Sequence, residues 1–204
     1  MNRNKIALFG GTFDPVHLGH TAVTEFAAKK INASKVIFIP AKRSPLKTSS
    51  PAAGDEHRVN MIKLAIENMP LFEMSDYELN NKPPSFTINT VKFFTDAFLE
   101  TEIYWLLGAD SIKGLGHWYK IDELIDCCHI CVMYRAGFPA PDFSRYANLL
   151  GKEHVEKLEA DVIETPLIDI SSTNIRRMIK EGQDIKGLVA PEVAAYIQEH
   201  GLYR

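Results

Sequence analysis

Short apolar runs alternate with longer segments of helical periodicity along most of this chain, and few folds accommodate that alternation. Ile6-Ala7-Leu8-Phe9, Val36-Ile37-Phe38-Ile39 and Ile103-Tyr104-Trp105-Leu106-Leu107 read as buried strands. Further strands are expected over 72–79, over 128–134 and at Val162-Ile163. Helices are expected over 18–31, over 87–98, 121–126, 172–181 and 191–200, with another running from an N-cap at Asp55 through Val59, Met61, Ile62 and Ile66. Strands separated by helices need crossover connections, so the expectation is an α/β fold with a mainly parallel sheet. In such sheets ligands bind beyond the carboxyl ends of the strands. Polar motifs follow Phe9, Leu107 and the strand near Ile163, and chain order alone brings them to that one edge.

The first motif is Gly10-Gly11-Thr12-Phe13-Asp14-Pro15-Val16-His17-Leu18-Gly19-His20. Two glycines allow a sharp turn and a close approach to a ligand without an intervening Cβ. A helix starting near Leu18 offers unpaired N–H groups and its positive dipole end to the same space, which makes an anion site. His17 and His20 lie on one side of its first turn, and both can donate to phosphoryl oxygens. The loop has neither the G-x-G-x-x-G spacing of dinucleotide-binding folds nor the Gly-Lys-Ser/Thr of a Walker loop. A zinc site on the two histidines lacks a third ligand nearby, so no metal is assigned.

A second motif, Ile170-Ser171-Ser172-Thr173-Asn174-Ile175-Arg176, opens a helix that Ser171 or Ser172 can cap. Arg176, one turn in, can fork onto phosphate oxygens. Trp118-Tyr119 follows the loop-like stretch Gly114-Leu115-Gly116-His117, where a large aromatic is suited to cover a ligand ring. Thr87 and Asp110 have helix capping as an alternative role. His57, His154 and His200 stand in no motif and are expected at the surface, with Arg58 pairing to Asp55.

Composition narrows the partners. A formal net charge of −3 provides no global basic field for nucleic acid or anionic lipid, despite Arg176 and Arg177 on one helix. No apolar run is long enough to span a membrane and no signal-like segment follows Met1, which makes a cytoplasmic location the default expectation. Cys127, Cys128 and Cys131 include a C-x-x-C spacing, but no second ligand pair accompanies it. They are expected to pack as small hydrophobes in a strand. The 204 residues suit one domain over 1–204, and a homo-oligomer is compatible with the sequence.

The loop G-T-F-D-P-x-H-x-G-H resembles the signature of the nucleotidylyltransferase superfamily with the HIGH-type motif, and I-S-S-T-x-I-R resembles its second ATP motif. Together with Ser85-Phe86-Thr87-Ile88-Asn89-Thr90, Gly108-Ala109-Asp110, Trp118-Tyr119 and the ending Gly201-Leu202-Tyr203, they make nearly the whole chain similar to the bacterial nicotinate-mononucleotide adenylyltransferase family. Phe86 and Asn89 depart from the family's usual tyrosine and aspartate, and the loop from Pro40 to Lys47 lacks its frequent Pro-Pro-His-Lys ending. The resemblance implies a Rossmann-like fold with helices on both faces and residues 172–204 completing the ATP site. It implies adenylyl transfer from ATP to nicotinate mononucleotide, giving nicotinate adenine dinucleotide and pyrophosphate, with Mg²⁺ delivered by ATP. His20, assisted by His17, is expected at the α-phosphate. Gly10, Gly11, Thr12, Phe13, Ser171, Ser172, Thr173, Arg176 and Lys42 are expected around the phosphates, with Arg43 and Lys47 as further clamps. Thr87, Asn89, Gly108, Asp110, Trp118, Tyr119 and Arg135 are expected around the pyridine nucleotide. Pantetheine-phosphate adenylyltransferases share the first loop and are the nearest rival, though they resemble this chain poorly after Gly108.

Overall fold

The computed structural model describes residues 3–43 and 50–204. Its centre is a six-stranded sheet in the order β3-β2-β1-β4-β5-β6, every neighbouring pair parallel. The strands are β1 (Asn4–Gly11), β2 (Lys35–Pro40), β3 (Phe72–Met74), β4 (Thr101–Gly108), β5 (His129–Arg135) and β6 (Val162–Thr165). The helices are α1 (Leu18–Ile31), α2 (Asp55–Ile66), α3 (Tyr77–Asn80), α4 (Thr87–Ala97), α5 (Ile121–Cys127), α6 (Ala147–Ala160), α7 (Ser172–Lys180) and α8 (Pro191–Glu199). This is the doubly wound arrangement, and its strand order reverses between β1 and β4.

Side-chain alternation along the strands builds a core on each face. Ile6, Leu8, Ile103, Trp105, Leu107, Ile130 and Val132 pack with residues of α4, α5 and α6. Ala7, Phe9, Tyr104, Leu106, Cys131 and Met133 pack with residues of α1, α2, α7 and α8. Because strands buried on both faces need apolar residues at consecutive positions, they read as continuous apolar runs rather than alternating ones. Cys128 and Cys131 are buried, and burial pushes both thiols up, Cys131 to about 12. They behave as small core residues.

Three local expectations change. The third strand ends at Met74, because the Leu79 and Asn80 amides turn back onto the Asp76 carbonyl and form α3. Gly54, not Asp55, is the N-cap of α2, and Asp55 accepts a hydrogen bond from Arg58 Nη2 at 2.6 Å. The stretch before Trp118 is a 3₁₀ helix, Ala109–His117, rather than a loop. A further helix, α6, has no counterpart in the sequence reading. It buries only Leu150, Val155 and Leu158 and breaks at Gly151 (φ 79°), which obscures its apolar period.

One detail of register prepares the site. The β1–β4 ladder ends at Leu8 opposite Trp105, yet β1 continues to Gly11 and β4 to Gly108. Beyond that pair the two strands part and open a crevice at the switch point.

Candidate active site

Two chambers occupy the crevice. The larger, of about 960 Å³, reaches from Phe9, Thr12, His17 and His20 across to Asp110 and Arg135 and to Ser171, Ser172, Thr173 and Arg176 of the α7 motif. The smaller, of about 220 Å³, is lined by Gly10, Gly11, Thr87, Trp118 and Tyr119, with Glu78 and Phe86. Thr12 and Ser111 line both, so the chambers adjoin there. The larger falls within the range of about 300–1,000 Å³ typical of whole-ligand sites.

Glycines 10 and 11 serve packing, not turning. Neither has a positive φ. A Cβ on Gly10 would sit 2.5 Å from Trp105 Cη2, and one on Gly11 would sit 2.8 Å from the Phe13 ring. The turn comes at Phe13, a buried residue in the left-handed region (φ 50°). Non-glycine residues pay a strain energy of order 1 kcal/mol or more for that conformation, so the surroundings must hold it.

They do so through distant side chains. Arg58, fully buried on α2, donates to the Thr12 carbonyl at 2.7 Å. Arg176 Nη1 donates to the Asp14 carbonyl at 2.6 Å, and Ser172 Oγ to the Pro15 carbonyl at 2.9 Å. The Asp14 carboxylate accepts from the Ala52 and Ala53 amides at 2.7 and 3.0 Å and from the Tyr203 hydroxyl at 2.8 Å. No local pattern around Arg58 or Tyr203 announces these bonds.

The two histidines form a reciprocal cap. His17 is the N-cap of α1, and its Nδ1 accepts from the His20 amide at 3.3 Å. His20 Nδ1 accepts from the His17 amide at 3.2 Å. The rings stack 3.6 Å apart at 18°. A nitrogen that accepts carries no hydrogen, so a ring bonded this way carries its hydrogen on Nε2. For His17, burial independently lowers the pKa to about 4. Both rings line the larger cleft. Two of the helix amides expected there are engaged within the protein: the Leu18 amide bonds the Leu188 carbonyl and the His20 amide bonds His17.

At α7, Ser171 is the cap, accepting from the Asn174 amide at 3.2 Å. The Ser172 hydroxyl has one hydrogen and gives it to Pro15, so it does not donate to a phosphate in this arrangement. Arg176 Nη2 lies 3.4 Å from Thr173 Oγ1 on the cleft rim.

The chamber around Trp118 and Tyr119 contains Thr87 but only part of the expected pyridine set. Thr87 makes no capping bond; Phe86 holds the N-cap position of α4. Gly108, Asp110 and Arg135 line the larger cleft instead, and Arg135 lies 3.8 Å from Asp169. Asn89 is exposed on α4 and lines neither chamber, because the helical turn that points Ile88 and Thr90 inward points residue 89 out. Lys42 lines neither chamber either; its Nζ donates to the Leu79 carbonyl at 2.8 Å. Arg43 is exposed and Lys47 lies outside the described residues. Glu78, missed in the sequence, is buried in the small chamber's wall, and its carboxylate accepts from Thr90 Oγ1 at 2.7 Å. His57 is half-buried rather than at the surface, bonding the Tyr196 hydroxyl at 2.9 Å.

Among the described residues no group of three or more His, Cys, Asp or Glu side chains is placed to hold a metal ion. No described helix is long and apolar enough to cross a membrane.

Comparison with known proteins gives the family and the fold. A family profile described as cytidylyltransferase-like matches residues 8–178. A Clostridium tetani protein named "probable nicotinate-nucleotide adenylyltransferase" is 38% identical over 203 residues, covering 98% of this chain and 99% of its own. A Rhodopirellula baltica protein of the same name is 33% identical, covering 98% and 93%. Among solved structures, the Plasmodium falciparum nicotinic acid mononucleotide adenylyltransferase complexed with NaAD superposes with a TM-score of 0.75 at 20% identity, covering 98% of this chain and 97% of that one. At that identity the likeness speaks to the fold.

Proposed function

The chain belongs to the nicotinate-nucleotide adenylyltransferase family, nucleotidyltransferases of NAD biosynthesis within the cytidylyltransferase-like proteins, and we propose that it joins ATP to nicotinate mononucleotide by direct attack. A phosphate oxygen of the mononucleotide forms a bond to the α-phosphorus of ATP, and the bond to pyrophosphate breaks. The products are nicotinate adenine dinucleotide and pyrophosphate. The observation that carries this reading is the pair of unequal chambers adjoining at Thr12 and Ser111, with His17 and His20 on the larger side.

The larger chamber takes ATP and the smaller the pyridine ring. The attacking phosphate has a second pKa of about 6 and is largely dianionic at neutral pH, so it needs no general base. The residues then have to align the reactants and stabilise charge on the phosphoryl oxygens. The Nε2 hydrogens of His20 and His17 serve the α-phosphate. Burial keeps the His17 imidazole neutral, so it stabilises charge as a hydrogen-bond donor, not as a cation. Backbone N–H groups of Thr12 and Phe13 meet the attacking phosphate. Arg176 and the first turn of α7 hold the leaving pyrophosphate, and Mg²⁺ enters as part of the ATP substrate. In the small chamber, Trp118 stacks on the ring while backbone amides near Thr87 and Tyr119 receive its carboxylate. An amide in place of that carboxylate would turn its own NH₂ toward those donors, which disfavours nicotinamide mononucleotide.

The test incubates the purified protein with Mg·ATP and, separately, nicotinate mononucleotide, nicotinamide mononucleotide or phosphopantetheine, following pyrophosphate and the coupled product. Preferential turnover of nicotinate mononucleotide is expected. ATP made chiral at the α-phosphorus should give inversion; net retention would overturn direct attack by indicating a covalent intermediate.

A further inference from the structure

Tyr203 has no place in the reaction described above, yet it reaches the phosphate loop. It follows α8, 189 positions from Asp14 along the chain, in the left-handed region (φ 67°). Its hydroxyl donates to Asp14 Oδ1 at 2.8 Å. Asp14 is a buried carboxylate, 4% exposed, and its other oxygen, Oδ2, lies 3.9 Å from Arg176 Nη1. That same Nη1 is bound to the Asp14 carbonyl at 2.6 Å. Arg176 is thus held between the backbone of the loop and a carboxylate that competes for it.

We propose that Tyr203 is a positioning residue for adenylyl transfer, satisfying the Asp14 carboxylate so that Arg176 stays on the loop carbonyl and remains available to the nucleotide's phosphates. This rests on the proposed phosphate role of Arg176. A buried carboxylate strongly attracts any cation within reach, and each hydrogen bond it accepts weakens that pull. The Ala52 and Ala53 amides supply two such bonds and Tyr203 a third. Burial and the neighbouring Asp14 also push the Tyr203 phenol well up, which keeps it a donor at any working pH. Without the hydroxyl, Asp14 recovers the missing bond by drawing Arg176 from carbonyl to carboxylate, away from the cleft.

Tyr203→Phe removes one oxygen and keeps the ring. The expected result is a rise in the ATP KM, and in the Mg·ATP dissociation constant by calorimetry, of about three- to tenfold, with the KM for nicotinate mononucleotide within about twofold of wild type. In the Arg176→Lys background the same change should have much less effect, because its route through the guanidinium is already lost. All measurements are made well below both melting midpoints, which separates an effect on Arg176 from a loss of folded protein. An unchanged ATP affinity, equal rises for both substrates, or full additivity with Arg176→Lys would each overturn the proposal. Wild-type protein that binds ATP but does not turn over would instead count against the reaction assigned above, and the calorimetric comparison would still decide the role of Tyr203.

Discussion

Replacing His17 with asparagine isolates the energetic consequence of a buried neutral imidazole. In the unfolded chain His17 titrates near 6.5, and in the folded protein its pKa is lowered to about 4 by burial. As pH falls below 6.5 the unfolded state takes up a proton that the folded state refuses, so stability falls with pH and the loss is complete near pH 4. At about 1.4 kcal/mol per unit, the whole span corresponds to about 3 kcal/mol. Between pH 7 and 5 the loss is about 2 kcal/mol, because most of the titration of the unfolded imidazole falls in that interval. Asparagine is a favoured N-cap residue, so its side-chain oxygen can still accept from the His20 amide, and the substitution removes the titration while keeping the cap. The assay is urea unfolding of both proteins at the two pH values. Other titrating groups cancel in the comparison, including His129, whose pKa is raised first by its hydrogen bond to Asp161 and which therefore acts in the opposite direction. Wild type should lose about 2 kcal/mol more than His17→Asn. Equal losses would refute the neutral, Nε2-protonated imidazole, and with it the reading of His17 as an uncharged donor.

Three further outcomes follow from the site. His20→Ala should lower kcat by about a hundredfold or more, the scale of losing one donor to a transition-state oxyanion, in steady-state pyrophosphate release; near-wild-type turnover would remove His20 from the reaction. Trp118→Ala should raise the KM for the mononucleotide and leave that for ATP unchanged, and equal changes in both would take Trp118 out of the acceptor chamber. Gly10→Ala should destabilise the fold by about 1–3 kcal/mol in thermal or urea unfolding, since its Cβ would lie 2.5 Å from the buried Trp105 ring; an unperturbed midpoint would contradict the packing role.

The elements legible in the sequence are those whose signal is local. Residues 18–31 form a helix of those bounds because His17 and Asn32 end it within a few residues: one caps the first turn and the other takes the left-handed conformation (φ 57°). The buried strands are legible because both faces meet a core. α6 is not, because three buried residues are spread over 14 positions otherwise occupied largely by lysine, glutamate and small residues. Position within a motif assigns Asn89 to the acceptor site, whereas helical geometry turns its neighbours Ile88 and Thr90 inward and leaves it in solvent.

The first loop shows the limit most directly. Its glycines and histidines mark it as an anion site on sight, but its shape is decided elsewhere. Phe13 holds a positive φ, and the carbonyls of Thr12, Asp14 and Pro15 that flank it are bound by Arg58, Arg176 and Ser172, which lie 46, 162 and 157 positions away from them along the chain. Such bonds follow no short period, so no local pattern encodes them. They also change what the second motif means. Ser172 and Arg176 look in sequence like a phosphate cradle, and in the structure each first secures a carbonyl of the loop. The α7 motif therefore contributes twice, as a wall of the larger cleft and as the clamp that gives the histidine loop its conformation. A substitution at Arg176 should accordingly lower kcat as well as raise the ATP KM, because a residue that shapes the loop alters the transition state and not only ground-state binding. A change confined to the ATP KM would leave Arg176 as a phosphate ligand alone.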